Sequence, residues 1–259
     1  MNESLPAVWV EDLTVAYSEK PVLWDIDLEI PKGALMAIIG PNGAGKSTLI
    51  KTMLDLIRPI SGSVKFFDKT YREQCKNIAY VPQRGSVDWD YPINVRDLVL
   101  MGRYGHLGFF RRPGVSDMRR CMQALEQVGM TELADRQISQ LSGGQQQRAF
   151  LARALVQDSE IYFMDEPFQG VDAKTEKSII TILKNLSRQG KTVIVVHHDL
   201  QTVEEYFDHV ALINIRKIAS GRTSEAFTKE NVSLAYRKSG EQENPNPSSA
   251  PVSDLQRRG

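Results

Sequence analysis

Cysteine is nearly absent: Cys75 and Cys121 are the only two in 259 residues. Two thiols build neither a disulfide framework nor a Cys-rich metal site, so a reducing compartment is expected. Long apolar runs are missing as well. The longest, residues 34–39, is six residues, where a membrane-spanning helix needs about 20. The opening Met1-Asn2-Glu3-Ser4-Leu5-Pro6 has neither a basic start nor an apolar stretch, so no secretory signal is expected. Excess charge is missing too: 32 basic side chains balance 32 acidic ones. The chain as a whole therefore has no electrostatic pull toward nucleic acid or an anionic membrane, although a local basic face stays open. If the protein works at a membrane, another chain must provide the membrane.

What is present is ordinary globular material, 41% hydrophobic and 25% charged, enough for a sizeable core. Short apolar runs rich in branched residues alternate with helical patterns, which predicts an α/β fold on a largely parallel sheet. Residues 34–39, 161–164 and 193–196 read as buried strands. Helical patterns follow them at about 46–56, 173–187 and 200–207. Earlier, 9–17 and 26–30 alternate apolar and polar residues as half-exposed antiparallel strands do. Between about 86 and 140 the texture turns helical, with patterns at 95–101 and 116–128 around a Gly-, Arg- and aromatic-rich stretch at 102–114. Residues 239–259 hold three aliphatic side chains among Ser, Pro, Asn and Glu, and are expected to be a disordered polar tail.

Gly40-Pro41-Asn42-Gly43-Ala44-Gly45-Lys46-Ser47-Thr48 matches the phosphate-binding P-loop and lies between a strand and a helix, as that motif requires. Glycines let backbone N–H groups converge on phosphate oxygens, and the helix start adds its dipole. Lys46 would neutralise the β- and γ-phosphates, and the Ser47 hydroxyl would ligate Mg²⁺. A P-loop indicates a nucleotide but not the machine that uses it.

Two further motifs narrow the choice. Leu141-Ser142-Gly143-Gly144-Gln145 runs directly into an apolar-periodic helix, and 161–164 ends in Asp165-Glu166-Pro167. Read alone, Ser142 is also a plain helix N-cap before a glycine turn. With the P-loop, and in this order, the set resembles the nucleotide-binding subunit of ATP-binding-cassette (ABC) transporters, over nearly all of the chain to about residue 237. The resemblance implies a P-loop NTPase of the ABC type over 1–238. Its parts would be a mainly parallel core, an N-terminal antiparallel β-subdomain and a helical insertion at about 86–140. It also implies ATP hydrolysis with Mg²⁺. Two subunits would sandwich ATP head to tail, with the P-loop of one facing Ser142, Gly143, Gly144, Gln145 and Asp172 of the other.

Single positions follow from the same resemblance. Asp165 matches the Walker B aspartate that holds Mg²⁺, and Glu166 the residue that polarises the attacking water. Gln83, in Tyr80-Val81-Pro82-Gln83, matches the glutamine that touches Mg²⁺ and links the site to a membrane partner. Tyr17 matches the aromatic that stacks on adenine, though an isolated aromatic also suits a core. Asp172, in Gln169-Gly170-Val171-Asp172, departs from the commoner Ser-Ala-Leu-Asp loop. In Val195-Val196-His197-His198-Asp199-Leu200, His198 matches the γ-phosphate-sensing histidine, and His197 stands where Thr is usual. As a metal site, the His pair lacks a third ligand nearby in sequence.

Val87-Asp88-Trp89-Asp90-Tyr91-Pro92, Met101-Gly102-Arg103-Tyr104-Gly105 and Arg111-Arg112-Pro113 carry the resemblance further, with 166–172 and 195–200. They are similar to the ATPase subunits of bacterial importers of manganese, zinc or iron. That resemblance implies an integral permease, an extracytoplasmic metal-binding protein as indirect partner, a homodimer or paired ATPase subunit, and a peripheral place on the cytoplasmic face of the inner membrane. His106, His197, His198, His209 and the two cysteines form no plausible ligand set for the cargo. Trp89, Tyr91, Phe109 and Phe110 with Arg103, Arg111 and Arg112 are expected to grip a short permease helix, or else to be a local mini-core with solvated arginines. The competing class is a soluble ABC-type ATPase acting on nucleic acid or the ribosome. No coiled-coil insertion, second cassette or zinc cysteines support it.

Overall fold

The computed structural model describes residues 5–107 and 111–237. In chain order its strands and helices are β1 Val8–Ala16, β2 Pro21–Ile30, β3 Leu35–Ile39, α1 Lys46–Met53, β4 Ser61–Phe66, α2 Tyr71–Gln74, β5 Ile78–Val81, α3 Val95–Met101, α4 Tyr104–Leu107 and α5 Val115–Gln127. They continue as α6 Gly143–Leu155, β6 Ile161–Asp165, α7 Ala173–Arg188, β7 Thr192–Val196, α8 Val203–Tyr206, β8 His209–Asn214, β9 Arg216–Arg222, α9 Thr223–Ala226 and α10 Lys229–Tyr236.

Two sheets result. A three-stranded antiparallel sheet has the order β2-β1-β4, and a six-stranded sheet has the order β5-β6-β7-β3-β8-β9. The second is parallel from β5 to β8, with β9 added antiparallel at the edge. This agrees with the expected parallel core and antiparallel N-terminal subdomain.

The central strands read as unbroken apolar runs because both of their faces are covered. Along β3, Leu35, Ala37 and Ile39 enter one hydrophobic core while Met36 and Ile38 enter the other. Tyr162 and Met164 of β6 likewise part from Ile161 and Phe163, and Val193 and Val195 of β7 from Ile194 and Val196. The first core holds the helical layer of α3, α5, α6 and α7; the second holds α1 and the inner face of the antiparallel sheet. Each fully buried Val, Ile or Phe here contributes about 1.5–3 kcal/mol.

Parallel order leaves the carboxyl ends of β3, β5, β6 and β7 on one rim. The segments after those ends carry the P-loop, Gln83, Glu166 and His198, and ligands of α/β sheets bind at such rims. Two expected helices are shorter in the structure: the one after the P-loop ends at Met53, and the last begins at Val203 rather than about 200. Phe109, Phe110 and the tail 239–259 lie outside the described residues.

Candidate functional site

The P-loop turns sharply out of β3. Gly40, Gly43 and Gly45 adopt φ of 156°, 82° and 92°. A Cβ on Gly40 would collide with the Ile213 carbonyl oxygen, and one on Gly45 would meet Leu23 Cδ2 at 2.5 Å and the Val22 carbonyl at 2.8 Å. As N-cap of α1, Gly45 offers no side-chain acceptor. The first-turn N–H groups of α1 are therefore left for an anion, where the helix dipole favours it. Lys46 Nζ, almost fully buried, donates to the carbonyls of Gly40 (2.8 Å) and Pro41 (2.9 Å). One of its three donors remains for a phosphate oxygen. Burial lowers the Lys46 pKa, while Glu166 and Asp165 pull it back up. Residues 42–48, with Val22 and Glu166, line an open cleft of about 210 Å³.

Beneath the loop, Ser47 Oγ donates to Asp165 Oδ1 at 2.9 Å. Asp165 is 1% exposed, and its second oxygen, Oδ2, is buried without any partner. A buried carboxylate oxygen left bare is costly unless something positive meets it. Burial raises the Asp165 pKa, against the Ser47 hydrogen bond that lowers it. Hydroxyl and carboxylate oxygens in this pairing are the hard donors that Mg²⁺ prefers. The residues present therefore fit the ion.

Glu166 follows at φ 53°, a left-handed conformation that turns the chain away from β6. Gln83 Nε2 donates to Glu166 Oε2 at 2.9 Å, so the structure brings these two expected site residues together. Tyr17 is 65% exposed and its hydroxyl lies 3.4 Å from Thr48 Oγ1, which places the ring above the start of α1 rather than in a core.

The end of β7 separates the two histidines. His198 is exposed, whereas His197 is 1% exposed and packed among Phe168, Tyr206 and Phe207 with ring centroids 5.2–6.3 Å away. Among the described residues, neither joins a cluster of three potential metal ligands; the one such group is Asp12, Asp25 and Asp27, all exposed.

Ser142 caps α6 in a reciprocal box with Gln145: its N–H donates to Gln145 Oε1 (2.9 Å), and its hydroxyl accepts from the Gln145 N–H (3.4 Å). The Gly143 and Gly144 N–H groups precede the helix ladder and need an outside acceptor. Asp172 caps α7, accepting from the Thr175 N–H (2.9 Å) and hydroxyl (3.0 Å), bonds that hold its pKa below the ordinary carboxylate range. Neither Asp172 nor residues 142–145 line the P-loop cleft. The two helix starts, each with N–H groups able to meet an anion, do not share this cleft.

Sequence reasoning missed Arg84. Its Nε donates to Gln146 Oε1 at 2.9 Å, its guanidinium would be struck by any Cβ on Gly143, and its carbonyl accepts from Trp89 Nε1. It ties the segment after Gln83 to the start of α6; only its place next to Gln83 signals this in the sequence. Nearby, Val87, Tyr91, Ile93, Met101 and Phe150 help to line an apolar groove of about 290 Å³.

Two expected groove residues are corrected here. Trp89 is half-buried, its ring centroid 5.2 Å from that of the groove-lining Phe150 in an edge-on pairing, and does not itself line the groove. Arg103 is enclosed, bonded to Asp117 Oδ1 (3.0 Å) and the Val156 carbonyl (3.3 Å), so it holds the helices together and offers no free charge.

Comparison with known proteins agrees with this geometry. The profile of the family described as "ABC transporter" matches residues 23–169. The zinc transport system ATP-binding protein TroB of Treponema pallidum is 60% identical over 89% of this chain and 86% of its own length. The manganese transport system ATP-binding protein MntB of Bacillus subtilis is 58% identical over 88% and 92%. A solved inward-facing ABC transporter, assigned to the metal-chelate type, superposes with a TM-score of 0.78 at 31% identity, over 89% of this chain and 88% of that one. No described helix is long and apolar enough to cross a membrane. With the family profile spanning more than half of the sequence and such relatives spanning most of it, the chain belongs to the ABC transporter family as an ATP-binding subunit.

Proposed function

We propose that this subunit hydrolyses ATP to energise the import of manganese or zinc through a separate membrane permease. The carrying observation is the Ser47–Asp165 pair under the P-loop, with its bare buried oxygen, next to the Gln83–Glu166 pair at the mouth of the cleft. Residues 40–48 bind the triphosphate through backbone N–H groups and Lys46, and Tyr17 stacks on the adenine. Ser47 and Asp165, with Gln83, would hold Mg²⁺, which when bound neutralises charge on the phosphoryl oxygens. Glu166 orients the attacking water and accepts its proton, Gln83 steadies that carboxylate, and His198 faces the γ-phosphate. Phosphoryl transfer asks for little more than such positioning and charge.

The second anion-binding turn, 142–145, lies outside the cleft, so a second copy or a paired ATPase subunit supplies it. Closure of the pair is then the power stroke. The groove beside Tyr91 and Met101 takes a short helix of the permease, which puts the subunit at the cytoplasmic face of the membrane, with an extracytoplasmic metal-binding protein as indirect partner. The division into a cassette over 1–238 and a polar tail over 239–259 belongs to the same reading. Manganese or zinc as cargo rests on the relatives of that name.

The test is metal uptake by cells lacking the gene, complemented with wild type or with Lys46→Ala. Wild type is expected to restore accumulation of manganese or zinc, measured by elemental analysis, and Lys46→Ala to restore less than about a tenth of it. Equal accumulation with both would remove the proposal.

A further inference from the structure

His197 has no role in the scheme above, yet it is the most enclosed polar side chain next to the site. Its backbone N–H donates to the Ile38 carbonyl at 3.0 Å, fastening the end of β7 to β3 just before the P-loop. Its ring lies beside that of His198, centroids 5.9 Å apart, in a pocket walled by aromatic side chains. There it meets Phe168 edge-on (5.4 Å, 87°), Phe207 at 5.2 Å and Tyr206 at 6.3 Å.

The polar contacts fix its orientation. Nε2 lies 2.8 Å from Thr202 Oγ1, and that hydroxyl donates to the Asp199 carbonyl at 3.3 Å. With the hydroxyl proton used on Asp199, Nε2 is the donor, and Nδ1 is left as a buried acceptor without a partner. Burial, with the neighbouring His198 adding to it, pushes the His197 pKa down to about 4. The ring is neutral at pH 7 and stays in one tautomer.

Its contacts span two segments that present site groups. Phe168 belongs to the turn Glu166-Pro167-Phe168-Gln169, closed by the Gln169 N–H on the Glu166 carbonyl at 3.1 Å, which leads on to Asp172. Thr202, Tyr206 and Phe207 belong to the segment that follows His198. His197 touches both Phe168 and Thr202, and Tyr206 joins the same two residues, its ring 6.2 Å from Phe168 and its N–H donating to the Thr202 carbonyl at 3.0 Å.

We propose that His197 is a positioning residue, a neutral aromatic spacer that sets His198 against the Glu166 turn through Phe168 on one side and Thr202 on the other. This rests on the roles given above to Glu166 and His198.

The experiment is a double-mutant cycle on ATP turnover by the full chain, with thermal melts as a check on folding. His197→Phe keeps the ring and removes the Thr202 bond. It is expected to lower kcat about tenfold with KM for ATP changed less than about twofold. His198→Ala is expected to lower kcat further, and adding His197→Phe to it to cost almost nothing more, because the first residue acts through the second. Should His197→Phe fail to fold, Thr202→Val removes the same bond from the other side; about a threefold loss of kcat is expected, again vanishing in the His198→Ala background.

Full additivity, or a normal kcat in these variants while His198→Ala is impaired, would overturn the spacer and leave the functional reading standing. A normal kcat in His198→Ala itself would overturn both.

Discussion

Glu166 stands in a backbone conformation that glutamate rarely adopts, at a cost of about 1–3 kcal/mol. The Gln83 bond and the buried Pro167 and Phe168 behind it hold the turn in place, so the carboxylate is aimed before any nucleotide arrives. Glu166→Gln preserves shape and can still accept from Gln83, but it cannot take a proton. Phosphate release is expected to fall by about 10²–10⁴-fold while ATP affinity, by titration, stays within about threefold. Turnover above about a tenth of wild type would contradict the assignment. At this scale most of the site is legible in the sequence, because phosphate and Mg²⁺ chemistry restrict both residue type and spacing at 40–48, 142–145 and 165–166. Arg84 and the buried side of His197 are not legible. Their partners, Gln146, Phe168 and Thr202, come together only through folding.

At the scale of elements, helix ends carry the information. Asn94, Ser142 and Asp172 each cap a helix through the backbone N–H three residues on, and Asp117 reaches back to the Gly114 N–H at 3.0 Å. That bond, and then the Arg103 side chain, keep the Asp117 pKa below the ordinary carboxylate range. A depressed acid contributes stability above its unfolded pKa of about 3.9 and loses it as pH falls through the folded value. Asp117→Asn is therefore expected to cost about 1 kcal/mol or more at pH 7, with the gap to wild type closing as thermal melts are repeated toward pH 3. A gap unchanged with pH would contradict the ion pair.

Tyr91→Ala tests the groove. It should leave the melting temperature within about 2 °C and weaken co-purification with the permease at least about fivefold; unchanged co-purification would remove the groove as the docking site. Strands β3, β6 and β7 are readable as apolar runs, although β5 and β8, largely buried as well, escape that reading, and helix α3 is readable to the residue. Strands β4 and β9 are not, because their exposed sides and Gly62 and Gly221 erase the pattern.

For the whole molecule, the arrangement is incomplete by construction. The rim of the parallel strands gathers Lys46, Ser47, Gln83, Asp165, Glu166 and His198, while the α6 start faces outward with its glycine N–H groups unused. The residues alone hold both halves, and the family resemblance already implies that they meet only across two copies; the fold supplies the physical separation, since residues 142–145 do not line the P-loop cleft. A closed two-fold assembly satisfies both halves with the same contact made twice.

Mixing two inactive variants tests this most directly. Lys46→Ala destroys the P-loop and Ser142→Arg obstructs the outward turn, so each homodimer has two damaged sites. In a head-to-tail pair, the mixed dimer regains one intact site. An equal mixture is expected to recover up to about a quarter of the wild-type ATPase rate, since about half of the dimers are mixed and each has one working site. A mixture as inactive as its components would mean that no site is shared between copies, contradicting the account.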